Sequence, residues 1–190
     1  PGHADFAGSV KYNQKDLRNV LERSSARKTA IEVAVGAIAK LFLKQFDIEC
    51  SSEITQIGSA CCCDKFIEEI DLTKENGDSV GGKFVVVYKN LPVGLGSHVH
   101  WDRGIDGRLA QAVMSIPAVK AVEIGENPLG FYGSTYHDQF TLDNGEIGRV
   151  TNHAGGVEGG MTNGQELVIS AVMKPIPTMK KPLKSIDSKT

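Results

Sequence analysis

An apolar run, IEVAVGAIAKLFLKQF at residues 31–46, constrains the fold more than any other feature of this chain. Its hydrophobic residues lie almost all the way round a helical projection rather than along one stripe. A helix of that kind is buried on all sides, inside the core of a protein. We therefore predict a long buried helix over residues 30–46 that ends near Asp47.

The stretch that leads into this helix, RSSARKTA at residues 23–30, is strongly cationic. It contains three cations and three hydroxyl groups within seven positions. A helix N-terminus already carries about half a positive charge, so extra cations there favour a bound anion. The pattern predicts an anion site formed by free N–H groups, hydroxyls and arginines. Two simpler interpretations stay open: Thr29 and Glu32 fit a capping box, and the arginines could be solvated surface residues.

Length and composition are those of an ordinary globular protein. The chain has 190 residues, of which 41% are hydrophobic and 23% charged, enough for one domain with a core. The net charge of −2 gives no general attraction to nucleic acid or membranes, so we expect neither as a partner. Residues 11–28 nevertheless hold six cations and two anions, whereas residues 47–78 hold nine anions and two cations. The first segment is a candidate anion site and the second a solvated helix face with its loops.

The four cysteines indicate a reducing compartment. Three are consecutive, at 61–63, and the fourth is Cys50, a spacing that suits neither a disulfide framework nor a C-x-x-C zinc site. We interpret them as free thiols of a cytoplasmic protein. No apolar run reaches the roughly 18 residues of a membrane span, and we expect no signal peptide.

Hydrophobic periodicity predicts a mixture of helices and strands. Besides the long helix, we expect helices at 64–78 and 106–116, the second with Asp106 as its N-cap. The predicted strands are residues 48–58, 83–91, 118–125 and 166–174. Residues 126–166 are expected to form a loop and the proline-containing tail to be extended. This mixture predicts the α+β class, with helices packed on antiparallel or mixed sheets.

Two histidine motifs are candidates for chemistry. His3 in PGHAD follows a Pro-Gly turn and could act as a general acid or base, although an isolated turn histidine is more often an ordinary surface residue. The motif SHVHWD would place His98, His100 and Asp102 on one face of a strand, as in a metal site, with Val99 and Trp101 facing the core. A polar strand face produces the same alternation, and we favour that simpler interpretation.

Two further motifs suit contact with a ligand. The segment NHAGGVEGGMTNG at 152–164 has five glycines, which allow a close backbone approach to a ligand or a series of turns. The segment MKPIPT at 173–178 places Lys174 beside a rigid, extended backbone that suits a phosphate, unless it is a plain linker.

Together these motifs closely resemble those of chorismate synthase. The matching segments follow the family's order along nearly the whole chain: PGHADFAGSVKY, RNVLERSSARKTA, VAVGAIAK, GDSVGG, PVGLGSHVHWDR, LAQAVMSIPAVKAVEIG, TNHAGGVEGGMTNG and MKPIPTMKKPLKSID. Each segment alone is a weak signal, whereas the ordered set is highly specific.

The resemblance implies an enzyme of the shikimate pathway. It would convert 5-enolpyruvylshikimate 3-phosphate to chorismate by a 1,4-anti elimination of phosphate and a ring hydrogen. Reduced FMN would be required without net redox change; some relatives reduce it with NADPH and others depend on an outside supply. The implied fold is a β-α-β sandwich with helices between antiparallel sheets, and the implied assembly is a homotetramer. Substrate and cofactor are both phosphorylated anions, in agreement with the cationic stretch.

The same resemblance implies site residues, position by position. His3 matches the histidine that protonates reduced flavin, and Arg27 matches the residue that holds the substrate. The other matches are flavin contacts: Arg23, Ser24, Ser25, Pro117, Ala118, Gly159, Lys174, Pro175, Ile176, Pro177 and Thr178. Some members have Asn at the position of Pro117, so we expect a backbone contact there.

Parts of the family's pattern have no counterpart in this sequence. They include an earlier Gly-Glu-Ser-His-Gly motif, whose histidine is held to protonate the leaving phosphate, and a later segment with another flavin-binding arginine. Lys28 and Ala121 also stand where Glu and Gly are expected. We therefore expect residues 1–190 to be a single domain that is the middle part of a larger enzyme. A flavin- and anion-binding fragment without turnover is the alternative function.

Overall fold

The computed structural model describes residues 4–184, which form six α-helices and eight strands. The helices are α1 Asp5–Tyr12, α2 Leu17–Ser24, α3 Thr29–Lys44, α4 Phe66–Glu75, α5 Ile105–Met114 and α6 Gly133–Tyr136. The strands are β1 Glu49–Ile57, β2 Gly82–Lys89, β3 Val119–Ile124, β4 Phe140–Asp143, β5 Glu146–Arg149, β6 Val157–Glu158, β7 Met161–Thr162 and β8 Leu167–Met173. Single 3₁₀ turns at Ala26–Lys28 and Cys63–Lys65 lead into α3 and α4.

The largest sheet has four strands in the order β1-β2-β8-β3, and every pairing is antiparallel. β8 lies inside the sheet, between β2 and β3. Its alternate residues Leu167, Ile169 and Ala171 are 3%, 2% and 0% exposed. Because alternate residues of a strand share a face, this face of β8 forms the centre of the core. α5 packs against β3 at the sheet edge.

The first two helices form a compact hairpin. The Asp16 carboxylate accepts the Arg18 N–H at 3.0 Å and so caps α2, as expected for an Asp at this position. Gly8 of α1 lies directly against the buried Val20 of α2, so a Cβ at position 8 would collide with the valine side chain. Glycine therefore allows the two helices to approach closely.

The long helix α3 confirms the predicted element but not its predicted burial. Residues 29–44 are helical, yet α3 contains no buried residue, and Ile31, Ile38 and Leu41 are 72%, 68% and 65% exposed. Among residues 4–184, α3 packs chiefly against the preceding 3₁₀ turn and β1. The prediction of burial is wrong for this chain because the described residues cover only a small part of the helix surface.

The other predicted helices and strands lie close to their expected positions, with two exceptions. Asp106 does not cap α5, since Gly104 is the N-cap and the Asp106 carboxylate accepts the Gly107 N–H at 2.8 Å. The expected loop at 126–166 contains α6 and the hairpins β4–β5 and β6–β7. Strands of two to four residues are too short to show a hydrophobic period.

Helices and antiparallel sheets together confirm the α+β class. The described part of the tail, from Lys174 to Lys184, contains neither helix nor strand. In the described part of the chain, every helix lacks the combination of length and apolar character that a membrane crossing needs.

Candidate functional site

A cleft between α1 and α2 brings together two of the predicted flavin contacts. Arg23 and Ser24 line this cleft of about 700 Å³ together with the polar Asn19 and the apolar Val20 and Tyr12. Arg23 lies in the last turn of α2, where the negative end of the helix dipole favours a cation. The cleft thus combines a guanidinium that forms no ion pair within residues 4–184 and a hydroxyl with apolar walls, a donor set that fits a phosphorylated aromatic group.

The cations of the RSSARKTA stretch do not accumulate at one unpaired helix end. Arg27 lies in the 3₁₀ turn, and its Nη1 is 2.6 Å from the Glu22 carboxylate. Lys28 pairs with Glu32 at 2.9 Å, one helical turn further on. Among residues 4–184, only Arg23 of these three cations forms no ion pair. Arg23 is therefore the cation best placed to bind an anion, while at Arg27 a bound anion would compete with Glu22.

The capping-box interpretation of this stretch is also wrong. The Thr29 hydroxyl donates to the Ala26 carbonyl at 2.6 Å instead of accepting an N–H, and α3 has no side-chain cap. Glu32 is engaged by Lys28. The first-turn N–H groups of α3 are accordingly not satisfied by Thr29. Ser25 joins α2 to the 3₁₀ turn, and its N–H donates to the Leu21 carbonyl at 2.9 Å.

Two predicted flavin-contacting segments, 56 positions apart in the sequence, meet at one point. The Lys174 N–H donates to the Ala118 carbonyl at 2.9 Å. The register of the sheet brings them together, because Val119 at the start of β3 pairs with Met173 at the end of β8. The chain leaves the sheet at Lys174 as an exposed, proline-containing segment.

Ala118 has a backbone conformation that is costly for a residue with a side chain. Its φ angle is +72°, in the left-handed region that costs an L-residue about 1–2 kcal/mol. Such conformations concentrate at ligand sites, where the surroundings hold them in place. Together with Pro117 before it, Ala118 turns the chain sharply into β3, at the place where the resemblance implies a backbone contact with the flavin.

Gly159 occupies the exposed turn of the β6–β7 hairpin. Gly159 and Gly160 have φ angles of +55° and +78°, as in a type I′ turn. The space where a Cβ of Gly159 would point is open. The Gly160 carbonyl accepts the N–H groups of Ile105 and Ser97 at 2.9 and 3.2 Å. The hairpin is therefore anchored on one side and presents Gly159 to open space on the other.

Three residues outside the predicted set of site residues hold the glycine-rich segment in place. Arg149, whose side chain is 8% exposed, forms a two-bond fork with Glu158, both bonds being 2.8 Å long. Thr162 is 2% exposed; its hydroxyl donates to the Pro92 carbonyl at 2.6 Å and accepts the Leu95 N–H at 2.9 Å. The fork lies directly beside Gly159, so Arg149 and Thr162 both fix the hairpin that carries it.

Asp138 is the third of these residues, and its side chain is 3% exposed. Its carboxylate accepts the Thr151 hydroxyl at 2.5 Å and the N–H groups of His153 and Ala154 at 2.8 and 2.9 Å. Burial alone would raise the pKa of Asp138, but these hydrogen bonds outweigh it and lower the pKa below the ordinary value. A charged carboxylate therefore fixes the start of the glycine-rich segment.

The fork also affects the acidity of Glu158. Its hydrogen bonds to Arg149 are the largest cause of a pKa lower than that of an ordinary glutamate, and a bond from Asn163 contributes further. Glu158 is therefore ionised over the whole physiological range and stays paired.

The sequence contains no signal for the contacts of Asp138, since its hydrogen-bond partners are 13 to 16 positions away along the chain.

The metal hypothesis is not supported at the predicted position. His98, His100 and Asp102 lie in a turn rather than a strand, and Val99 and Trp101 are 72% and 86% exposed instead of facing the core. The His100 Nδ1 atom is 2.6 Å from the Asp102 carboxylate. Within residues 4–184 no three His, Cys, Asp or Glu side chains are placed to hold a metal ion.

The structure thus brings some of the predicted site residues together, but not all of them. Arg23 and Ser24 share one cleft, and Ala118 contacts Lys174. Within the part of the chain that the structure describes, no hydrogen bond connects either group to Gly159. His3 lies outside the described residues.

Comparison with known proteins identifies the family to which these features belong. The family model described as chorismate synthase matches residues 1–190. The chain belongs to the chorismate synthase family. A protein named chorismate synthase from Thermoanaerobacter pseudethanolicus is 55% identical over the whole of this chain and 55% of its own length. One from Caldanaerobacter subterraneus is 50% identical with the same coverage.

The solved structures agree with this assignment. A crystal structure of chorismate synthase superposes with a TM-score of 0.86 at 42% identity, over 90% of this chain and 63% of that chain. This similarity confirms the family fold implied by the motifs. The chain spans about half the length of the curated chorismate synthases that it matches.

Proposed function

We propose that this chain carries part of the active site of an FMN-dependent chorismate synthase, a lyase that eliminates phosphate from 5-enolpyruvylshikimate 3-phosphate. The observation that carries the proposal is the match of the family model to every residue of the chain. Two structural features support it: the cleft with Arg23 and Ser24, and the backbone turn at Ala118 against Lys174.

The residues present fit a flavin phosphate and ring system. Arg23, with Ser24 and Ser25, would hold the phosphate, since an arginine forms charge-assisted hydrogen bonds to phosphate oxygens. Pro117 and Ala118, Gly159 and the segment 174–178 would provide backbone contacts for the ring system. The open space beside Gly159 and the strained φ of Ala118 are the features that suit such contacts. When bound, reduced FMN supplies an electron that is afterwards returned.

Arg27 would hold the substrate phosphate in this proposal. A bound phosphate must then displace the Glu22 carboxylate, which lies 2.6 Å from Arg27. Both side chains are well exposed, at 74% and 62%, and exposed ion pairs contribute only about 0–1 kcal/mol. Replacing the Glu22 carboxylate by a phosphate at Arg27 therefore costs little free energy. His3, near the beginning of the chain, would act as a proton donor, since an imidazole exchanges protons near neutral pH. The active assembly would be a cytoplasmic homotetramer.

A titration with reduced FMN under anaerobic conditions tests the cofactor site. We expect saturable binding, seen as a change in flavin absorbance, and binding roughly tenfold or more weaker in Arg23→Ala, because a charge-assisted contact is lost. Arg18→Ala is the matched control, since Arg18 is on the same helix but paired with Asp16 at 2.7 Å. Equal binding by wild type and Arg23→Ala would remove the cleft from the proposal.

A binding-only fragment is the second candidate function. The exposed apolar surface of α3 favours it, because a helix apolar on all sides is normally covered in a complete core, and residues 4–184 leave it open. The two candidates agree on flavin binding and differ in turnover. Formation of chorismate distinguishes them.

A further inference from the structure

The motif GDSVGG at 77–82 has no role in the site as described so far, yet it contacts the proposed flavin segment 174–178 directly. The Ser79 hydroxyl donates to the Ile176 carbonyl at 2.6 Å. Ile176 is the middle residue of KPIPT and lies 97 positions further along the chain. A half-buried side chain from a separate loop therefore holds the centre of the segment.

Segment 174–178 needs such external contacts because it has few of its own. Two of its five residues are prolines, which have no N–H to donate, and it belongs to no helix or strand. Its first residue is held by the bond from Lys174 N–H to the Ala118 carbonyl at 2.9 Å. Beyond its other end, the Lys181 N–H donates to the Gly77 carbonyl at 2.9 Å. The loop 77–79 thus contacts the tail at two points, on either side of Thr178.

Other residues of the motif allow this close approach. The space that a Cβ of Gly81 would occupy is filled by the Met173 carbonyl and lies 3.2 Å from Pro175. The Gly81 carbonyl in turn accepts the Gly58 N–H at 2.9 Å, which fixes the loop to the end of β1. The Asp78 carboxylate accepts the Ser79 N–H at 2.9 Å and lies 3.8 Å from the Lys181 ammonium. The loop is therefore held rigidly enough to position the tail.

We propose that Ser79 is a positioning residue, which sets the conformation of segment 174–178 for flavin binding by holding the Ile176 carbonyl. The loop and the segment together line a cleft of about 380 Å³ that includes Ser79, Gly81 and Pro175. Ser79 touches neither flavin nor substrate in this account; it acts through the segment. The flavin part of the inference rests on the proposed function, whereas the contact itself does not.

Two measurements on the same variants test this role. The variants are Ser79→Ala, which removes the hydroxyl; Ser79→Thr, which keeps it; and Ser59→Ala as control, because the Ser59 hydroxyl bonds to Glu69. The first measurement is hydrogen exchange in the flavin-free protein, over peptides that contain residues 174–184. We expect Ser79→Ala to accelerate exchange at the Lys174 and Lys181 amides by about three- to tenfold, the loss of roughly one net hydrogen bond. Ser79→Thr and Ser59→Ala should leave exchange unchanged.

The second measurement is the dissociation constant of reduced FMN, determined from flavin absorbance. We expect about three- to tenfold weaker binding by Ser79→Ala, with recovery in Ser79→Thr. Equal exchange in wild type and Ser79→Ala overturns the inference whatever the flavin result. Faster exchange with unchanged FMN binding overturns the positioning role. If wild type binds no reduced FMN, the proposed function fails, and the exchange result alone decides whether Ser79 holds the segment.

Discussion

Asp138 offers a quantitative test of how the glycine-rich segment is held. Its Oδ1 atom accepts the Thr151 hydroxyl and the His153 N–H, and its Oδ2 atom accepts the Ala154 N–H at 2.9 Å. The substitution Asp138→Asn keeps the shape of the side chain but replaces one acceptor oxygen by an NH₂ group. If the amide oxygen takes the Oδ1 position, the Ala154 N–H faces a donor and loses its partner.

The expected destabilisation follows from the burial of this carboxylate. The Asp138 side chain is 3% exposed, so water cannot replace the lost acceptor. Loss of one hydrogen bond to a charged group costs about 1.5–3 kcal/mol, and the two remaining bonds become neutral. We therefore expect Asp138→Asn to lower the free energy of unfolding by about 2–3 kcal/mol. Urea unfolding at neutral pH measures this difference.

Asp143→Asn is the matched control, since Asp143 is an exposed residue of β4. A surface substitution of this kind changes stability by no more than about 0.5 kcal/mol. Comparable stabilities of the two variants would refute the account of Asp138, because they would show that its three hydrogen bonds contribute nothing beyond those of a neutral amide.

The lowered pKa of Asp138 adds a pH dependence of defined sign. A carboxyl group with a lower pKa in the folded state than in the unfolded state stabilises the fold above the unfolded value, which is about 3.9. That contribution is lost as the pH falls through the folded-state pKa, which lies below the ordinary value. The stability difference between wild type and Asp138→Asn should therefore shrink on acidification below about pH 4. A difference that grows in that range would contradict the assignment.

Substitutions at three further positions probe the site. Arg149→Lys should lower the free energy of unfolding by about 1–2 kcal/mol, because an ammonium cannot form the two-bond fork to Glu158; a change below about 0.5 kcal/mol in urea unfolding would be inconsistent with the fork. Ala118→Gly should raise the free energy of unfolding by roughly 0.5–1 kcal/mol, because glycine adopts the positive φ without strain, whereas Ala118→Val should lower it; thermal unfolding decides the sign of each. Arg27→Ala should weaken binding of 5-enolpyruvylshikimate 3-phosphate by about 1.5–3 kcal/mol, measured by calorimetry beside Arg18→Ala; equal affinities would exclude Arg27 as the substrate residue.

The large sheet could be predicted from the sequence because its strands have strong local signals. β2 and β8, with sequences GKFVVVYK and LVISAVM, are long and rich in β-branched residues. The hairpin β4–β5 was missed although Asn144-Gly145 is a typical hairpin turn, with φ angles of +50° and +86°. Its strands have only four residues each, too few for a period to be recognised.

The exposure of α3 could not be predicted from its sequence. Local composition determines that residues 29–44 form a helix and that its surface is apolar, but not which part of a protein covers that surface. Residues 4–184 leave Ile31, Ile38 and Leu41 largely open. The apolar pattern predicts burial, and the described residues do not provide it.

Some residues of the candidate site could likewise be predicted from the sequence, and others could not. Family motifs indicated Arg23, Ala118 and Lys174, and the structure places two of these in direct contact. Ser79 and Asp138 were not recognised because each acts through partners distant in sequence, up to 97 positions for Ser79. Contacts of that kind arise from the packing of separate elements and leave no pattern in a short stretch of residues.

The most direct test of the proposed function is an anaerobic titration of this chain with reduced FMN and 5-enolpyruvylshikimate 3-phosphate, following flavin absorbance and chorismate in the same sample. We expect a flavin spectral change that depends on both ligands; chorismate in addition would show that residues 1–190 suffice for turnover. A spectral change without chorismate would support the binding-only alternative. Absence of any spectral change at saturating concentrations would contradict the proposed flavin and substrate site.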